Sequence, residues 1–170
     1  KDYPEWSDRG DGPGAPVAVH LPNSPVISTG KRDGSKIRLP NGNYLEETAS
    51  YFVMVETKTG GFTPALITMK STQLNVSKKW NSMMKTIQIP DGKGGFAIPP
   101  MHGVVYNLAS TLQKNDKGSW YGWVVTQDRI MGQDDKALYL SAKEFAGNVS
   151  KGSVQTKADV EEKVSDSTPY

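Results

Sequence analysis

From Val26 onward the chain carries the two periods of regular structure, alternation for strands and the 3.6-residue repeat for helices. "VISTGKRDGSKIRL" sets β-branched residues on either side of Asp33-Gly34, a hairpin turn signal. "SYFVMVE" (Ser50–Glu56) and "TPALITMK" (Thr63–Lys70) read as strands joined through the hairpin loop "TKTGG". Then the period changes. Val76, Trp80, Met83, Met84 and Ile87 form one apolar stripe at helical spacing, with Ser71 or Thr72 placed to cap its start. Lys78 and Lys85 fall on the opposite face and Lys79 to one side. After "PDGKGGFAIPP" two further strands are expected, "HGVVYNLAST" and "SWYGWVVTQDRI", joined by the turn "QKNDKG". Leu138, Ala142, Phe145 and Val149 predict a second helix over Asp134–Val149, capped by Asp134 or Asp135 and ended by Gly152.

Three strands, a helix, two strands and a C-terminal helix is the element order of an OB-fold. The expected fold is therefore mainly β: a five-stranded OB-fold-like barrel with a helix between strands 3 and 4, a C-terminal helix and disordered ends. Residues 1–25 are crowded with Pro, Gly and Asp, lack a period, and are expected to be a flexible arm. Residues 26–152 are expected to form one OB-fold-like domain. Residues 153–170 are expected to be an acidic disordered tail. Seventeen Gly and eleven Pro in 170 residues agree with a turn-rich β fold rather than a helical bundle.

Charge changes the picture more than composition does. Residues 1–60 carry seven Lys/Arg against eight Asp/Glu, a net of −1. Residues 61–152 carry eleven against six, a net of +5, and residues 153–170 two against four, a net of −2. A basic middle with an acidic tail is the asymmetry of a protein with an anionic partner. The segment Met69–Lys85 concentrates it, with four lysines, one tryptophan and no acid. The chain has no cysteine, which removes disulfides, thiolate metal sites and cysteine nucleophiles. No apolar run reaches the ~18 residues of a membrane span, and no signal-peptide apolar run is seen, so a host-cell cytoplasmic setting is expected.

Enzyme signals are weak. His20 and His102, the only histidines, have no partner at triad or ligand spacing. Glu46-Glu47 and Asp134-Asp135 read as a loop charge and a helix cap. Arg9-Gly10-Asp11 reads as a chance triplet, and "GKGGF" lacks the strand and Gly-Lys-Ser/Thr of a phosphate loop. A nuclease would need clustered carboxylates, yet Asp91, Asp116 and Asp128 are scattered in turns and strand ends. No catalytic residue, cofactor or metal is expected. Single-strand binding has a clearer basis, because it combines cations that follow phosphates with aromatic faces that stack bases. The candidate residues are Lys70, Lys78, Lys79, Lys85, Lys114 and Lys117 with Trp120, Tyr121 and Trp123; Phe62 or Tyr106 can add to the surface. Trp120 and Gly122 share one face of their strand, and Tyr121 and Trp123 share the other.

"MKSTQLNVSKKWNSMM", the "YNL" strand and "NDKGSWYGW" together resemble a group of phage early-region proteins described as single-stranded-DNA-binding proteins of OB-fold type. "GNYLEETASYFVMV" resembles the segment that precedes the Lys-Ser-Thr stretch in that group. The resemblance covers roughly Asn41 to Lys151 and implies a non-enzymatic protein of phage replication or recombination whose partner is single-stranded DNA. The ending "DSTPY" resembles the acidic tails of bacterial single-stranded-DNA-binding proteins, which implies that Asp166, Pro169 and Tyr170 meet replication or recombination proteins. Tyr170 stands where Phe is usual. The alternative expectation is a phage structural or assembly protein that uses a β-barrel as a protein–protein module. Oligomeric state is left open.

Overall fold

The computed structural model describes residues 1–8, 15–116 and 118–154. Among them the strands are β1 (Tyr3–Trp6), β2 (Ala18–His20), β3 (Lys31–Asp33), β4 (Lys36–Arg38), β5 (Tyr44–Glu46), β6 (Thr48–Glu56), β7 (Phe62–Lys70), β8 (Ile89–Pro90), β9 (Phe96–Ala97), β10 (Val104–Asn115) and β11 (Gly118–Ile130). Helix α1 (Pro25–Thr29) follows β2, α2 (Leu74–Thr86) follows β7, and α3 (Lys136–Ser150) follows β11. The backbone gathers into two compact units. Of the described residues, one unit holds those within Lys1–Tyr51, Ile67–Ser82 and Leu108–Val125; the other holds Phe52–Leu66, Met83–Asn107 and those from Thr126 to Val154.

The first unit is built on a five-stranded antiparallel sheet in the order β2-β1-β5-β4-β3. Ala18 faces Glu5, Glu5 faces Leu45 and Leu45 faces Ile37 across four strands, so one row of side chains shares a face. That face carries the core: Ile37, Leu39 and Leu45 are buried, with Tyr3, Val26 and Ile27 packed on them. Gly30 ends α1 directly over this core, where a Cβ would stand 2.3 Å from Ile37 Cγ2. Gly34, at φ +59°, makes the β3–β4 turn that its Asp-Gly sequence predicts. Residues 48–51 join the sheet through Thr48, which exchanges backbone hydrogen bonds with Asp2 at 2.9 Å. Tyr51 then stacks on Trp80 of α2 at 4.4 Å, and its hydroxyl lies 2.7 Å from Ser77 Oγ and accepts from Asn81 Nδ2 at 2.9 Å. The apolar stripe expected on this helix is thus what docks it, with Trp80 and Ser77 buried.

In the second unit, Thr57 closes the β6–β7 loop by donating its N–H to Gly61 O at 2.7 Å. Asp91 holds the β8–β9 loop, its Oδ1 accepting from the N–H groups of Lys93 and Gly95 at 2.8 Å each. These two bonds keep the Asp91 carboxyl below its ordinary range. Helix α3 packs on the turn Met101–Gly103, burying Ala142, and Tyr139 lies 5.3 Å from the His102 ring.

Several expectations are corrected. The five-stranded sheet is not closed into a barrel, and the strands divide among four sheets, so the OB-fold-like barrel is not formed. The helix expected between strands 3 and 4 follows the seventh strand. Residues 26–29, taken into a β hairpin from their branched side chains, are helical, because Pro25 fixes a helical start. The segment 1–25, expected to be a flexible arm, supplies β1 and β2. Strands of three and four residues are too short for alternation to register, and their backbone bonds come from distant partners. The hairpins at 50–70 and 104–130 and the C-terminal helix occur as expected, the helix starting at Lys136 after a turn at Gln133–Asp135. Ser71 and Thr72 lie in a 3-10 turn before α2.

Candidate nucleic-acid interface

β11 divides its aromatic residues between two faces, as alternation requires. Trp120 is half-buried and Gly122 buried; Tyr121 is 73% exposed and Trp123 37%. Gly122 is where another chain segment comes close. A Cβ there would stand 2.5 Å from Gln73 Nε2 and 2.6 Å from Gln113 Nε2. Gln73 also accepts the Trp123 N–H through Oε1 at 3.0 Å, so the turn that leads into α2 covers part of this strand's edge. A cleft of about 230 Å³ lined by Thr72, Asn115, Gly118, Ser119 and Trp120 opens beside it. That is below the ~300 Å³ of small-molecule pockets.

The candidate cations divide between the two units. Lys78 and Lys79 are exposed on α2, and Lys114 is exposed on β10, all within the first unit. Lys70 is committed in part: its Nζ donates to Glu46 Oε2 at 3.2 Å and lies 5.9 Å from the centroid of the Trp6 ring. Lys85 belongs to the second unit, where it is exposed in the last turn of α2. Lys117, Asp166, Pro169 and Tyr170 lie outside the described residues. Phe62, 37% exposed, lines a separate cavity of about 540 Å³ in the second unit with Met54, Leu138, Arg129, Asp134 and Asp135. There Arg129 is held by Asp128 at 2.9 Å and Asp135 at 3.0 Å. Burial raises the Tyr106 hydroxyl above its ordinary value.

A second aromatic–cation surface was not legible from periodicity. Trp6 and Tyr44 are register partners on β1 and β5, and they share the sheet face opposite the core. Lys36 Nζ stands 3.6 Å from the Tyr44 ring centroid and the Arg38 guanidinium 5.6 Å. Arg38 also donates to Asp8 at 2.5 Å and to Asp33 at 3.3 Å. The signal lay in "YLE" and "KIR", each a buried aliphatic residue between two outward polar or aromatic ones.

The histidines acquire partners the sequence did not show. Glu5 is 7% exposed, and its carboxylate accepts from Asn43 Nδ2 at 2.6 Å and Asn41 Nδ2 at 3.1 Å, with His20 Nε2 at 2.7 Å. These hydrogen bonds, the Asn43 bond first, hold its pKa below the ordinary value of 4.5 despite burial. Ser24 Oγ lies 3.5 Å from His20 Nδ1, giving a Ser–His–Glu order, but neither cavity described above opens onto it. Burial, then the Lys143 charge, lowers the pKa of His102. Among the described residues no group of three or more His, Asp or Glu is placed to hold a metal ion, and no helix is long and apolar enough to cross a membrane. Asp91 and Asp128, two of the scattered acids, are bound to their own surroundings, Asp91 to backbone and Asp128 to Arg129 and Asn107.

Neither the curated proteins nor the solved structures contain a match to this chain. A family model described as Pam3 phage gp34-like protein matches residues 1–155, which supports the phage origin that the resemblance implied, and the chain belongs to that family.

Proposed function

We propose that this phage protein binds single-stranded DNA without catalysing a reaction, serving replication or recombination. Bases stack on Tyr121 and Trp123, and Lys78, Lys79 and Lys114 neutralise phosphates, with Lys70 joining when DNA displaces its weak surface contact to Glu46. The observation that carries the reading is the exposed pair Tyr121 and Trp123 on one face of a strand whose Trp120 and Gly122 are turned inward. Tyr121 leaves most of its ring outside the packing, and Lys78, Lys79 and Lys114 are exposed in the same unit. Trp6 and Tyr44, already covered in part by Lys36 and Lys70, are a second place where bases displace cations from rings. Lys85 and Lys117 are further candidates for phosphate contact, and Asp166, Pro169 and Tyr170 for the recruitment of replication or recombination proteins. Titrating the intrinsic tryptophans with an unlabelled oligo-dT strand, and separately with duplex, tests the reading. Deep quenching with single-strand preference supports it; no quenching at low salt refutes it.

A role in phage structure or assembly is the second reading, favoured by a different observation. In the second unit Phe96 and Met101 are each 71% exposed and Ile98 59%, on a proline-rich stretch. An apolar run so placed fits a protein surface better than a phosphate backbone. Under this reading the chain binds neither single strands nor duplex at physiological salt.

A further inference from the structure

We propose that β2 is a self-pairing edge, through which two copies of this chain join antiparallel about Val19 and continue one sheet across a two-fold axis. The proposal stands apart from the DNA-binding reading. The five-stranded sheet ends in β2 on one side and β3 on the other. The two edges are finished differently. β3 carries Lys31, Arg32 and Asp33, all exposed, the charged finish that keeps an edge from pairing. The stretch around β2, "APVAVHLP", has no Asp, Glu, Lys or Arg. Val17, Val19 and Leu21 are 61%, 58% and 62% exposed, while Ala18 and His20 between them turn inward. No strand flanks β2 on its outer side among the described residues. Val17 N–H already donates to Glu5 O at 2.7 Å and Leu21 O accepts from Ser24 N–H at 2.9 Å, so the backbone offered to a partner centres on Val19, whose neighbour on β1, Pro4, has no N–H.

The choice of a second copy rests on the symmetry of this edge. Antiparallel pairing about Val19 places Val19 against Val19, and Val17 of one copy against Leu21 of the other, so all three apolar side chains meet apolar ones. Pro16 and Pro22 each lie three residues from Val19, which limits the pairing to the five residues between them in both copies at once. His20 is occupied with Glu5 on the inner face, so no charge opposes its counterpart. Strand-to-strand contact over five residues buries less than the ~1,200 Å² of a standard interface, so the dimer is weak, with a Kd above about 1 μM.

The absence of native cysteine makes the test direct. Directly opposed residues of an antiparallel pair have Cα atoms about 4.5–5.5 Å apart, within the range that a disulfide bridges. The full chain carrying Val19→Cys should therefore oxidise to a covalent dimer about tenfold faster than the chain carrying Lys31→Cys on the charged edge. In sedimentation velocity the unmodified chain should show a concentration-dependent dimer that Val19→Lys abolishes. Val19 is mostly exposed, so far-UV circular dichroism of Val19→Lys should match the parent. Equal oxidation of the two cysteine variants, a monomer up to about 1 mM, or a dimer that survives Val19→Lys would each overturn the proposal.

Discussion

A carboxylate in the middle of a sheet is costly unless its lone pairs are used, and Glu5 uses them on Asn41, Asn43 and His20. Replacing it with Ala leaves those donors unmatched in a buried place, and the expected loss is about 2 kcal/mol by urea denaturation. Because its folded pKa is lowered, the stability it contributes is present above 4.5 and is lost as pH falls through the lowered value. His102 acts earlier in the same titration. Its folded pKa is lowered from 6.5, so the unfolded chain takes up a proton first and stability falls as pH drops from 6.5 toward the folded value. A thermal melt series should thus show two declines, one below about pH 6.5 and one below about pH 4.5. His102→Gln should flatten the first and Glu5→Gln the second. A midpoint independent of pH between 7 and 5 in the unmodified chain would contradict the role given to His102.

At the scale of elements, close approach decides where substitution is tolerated. Gly30→Ala drives a methyl group into Ile37 Cγ2 in the sheet core, and should cost about 1–3 kcal/mol by equilibrium unfolding. Tyr51→Phe keeps the stack on Trp80 but strips hydrogen bonds from buried Ser77 and from Asn81, an expected loss of about 1–2 kcal/mol by the same measurement. What the sequence could show follows from the same distinction between local and distant causes. The long hairpins, α2 and α3 have enough residues for a period; the apolar stripes of the two helices are where the structure buries them, while Val55, Leu66 and Leu112 of the hairpins stay exposed. β1 to β5 are short and held by partners up to about forty residues away, so Glu5 against Leu45 left no local trace. Closure was illegible for a related reason. Element order fits an open sheet as well as a barrel, and the pairing that would close one depends on contacts no window of sequence contains. On β11, alternation separated Tyr121 and Trp123 from Trp120 and Gly122 correctly. Which face lies inward was settled by Gln73, fifty residues away from Trp123. Trp6 was hidden for the opposite reason: its neighbours look like a loop.

For the molecule as a whole, the family match brings a phage origin, and the binding reading comes from the surface of the first unit. The basic middle of the chain serves solubility if it meets only water, and phosphate capture if it lies beside a stacking surface; Tyr121 and Trp123 separate the two. Each stacked aromatic contributes about 1–3 kcal/mol to single-strand affinity, so Tyr121→Ala and Trp123→Ala should each weaken binding by roughly one to two decades. Tyr121→Ala should alter stability by no more than about 0.5 kcal/mol, since that ring is 73% exposed, whereas Trp123→Ala, at 37% exposed, should cost about 1–2 kcal/mol by equilibrium unfolding. Lysine substitution acts on another observable. Lys79→Ala should lower the slope of log affinity against log salt by about 0.7, the contribution of one neutralised phosphate on a single strand. The most direct measurement is therefore the affinity for oligo-dT across a salt series, taken for the unmodified chain and for the Tyr121→Ala/Trp123→Ala double variant. The account predicts two parallel lines, steeply falling with salt, the double variant lower throughout. No binding even at low salt, or a double variant that coincides with the unmodified chain, would contradict it.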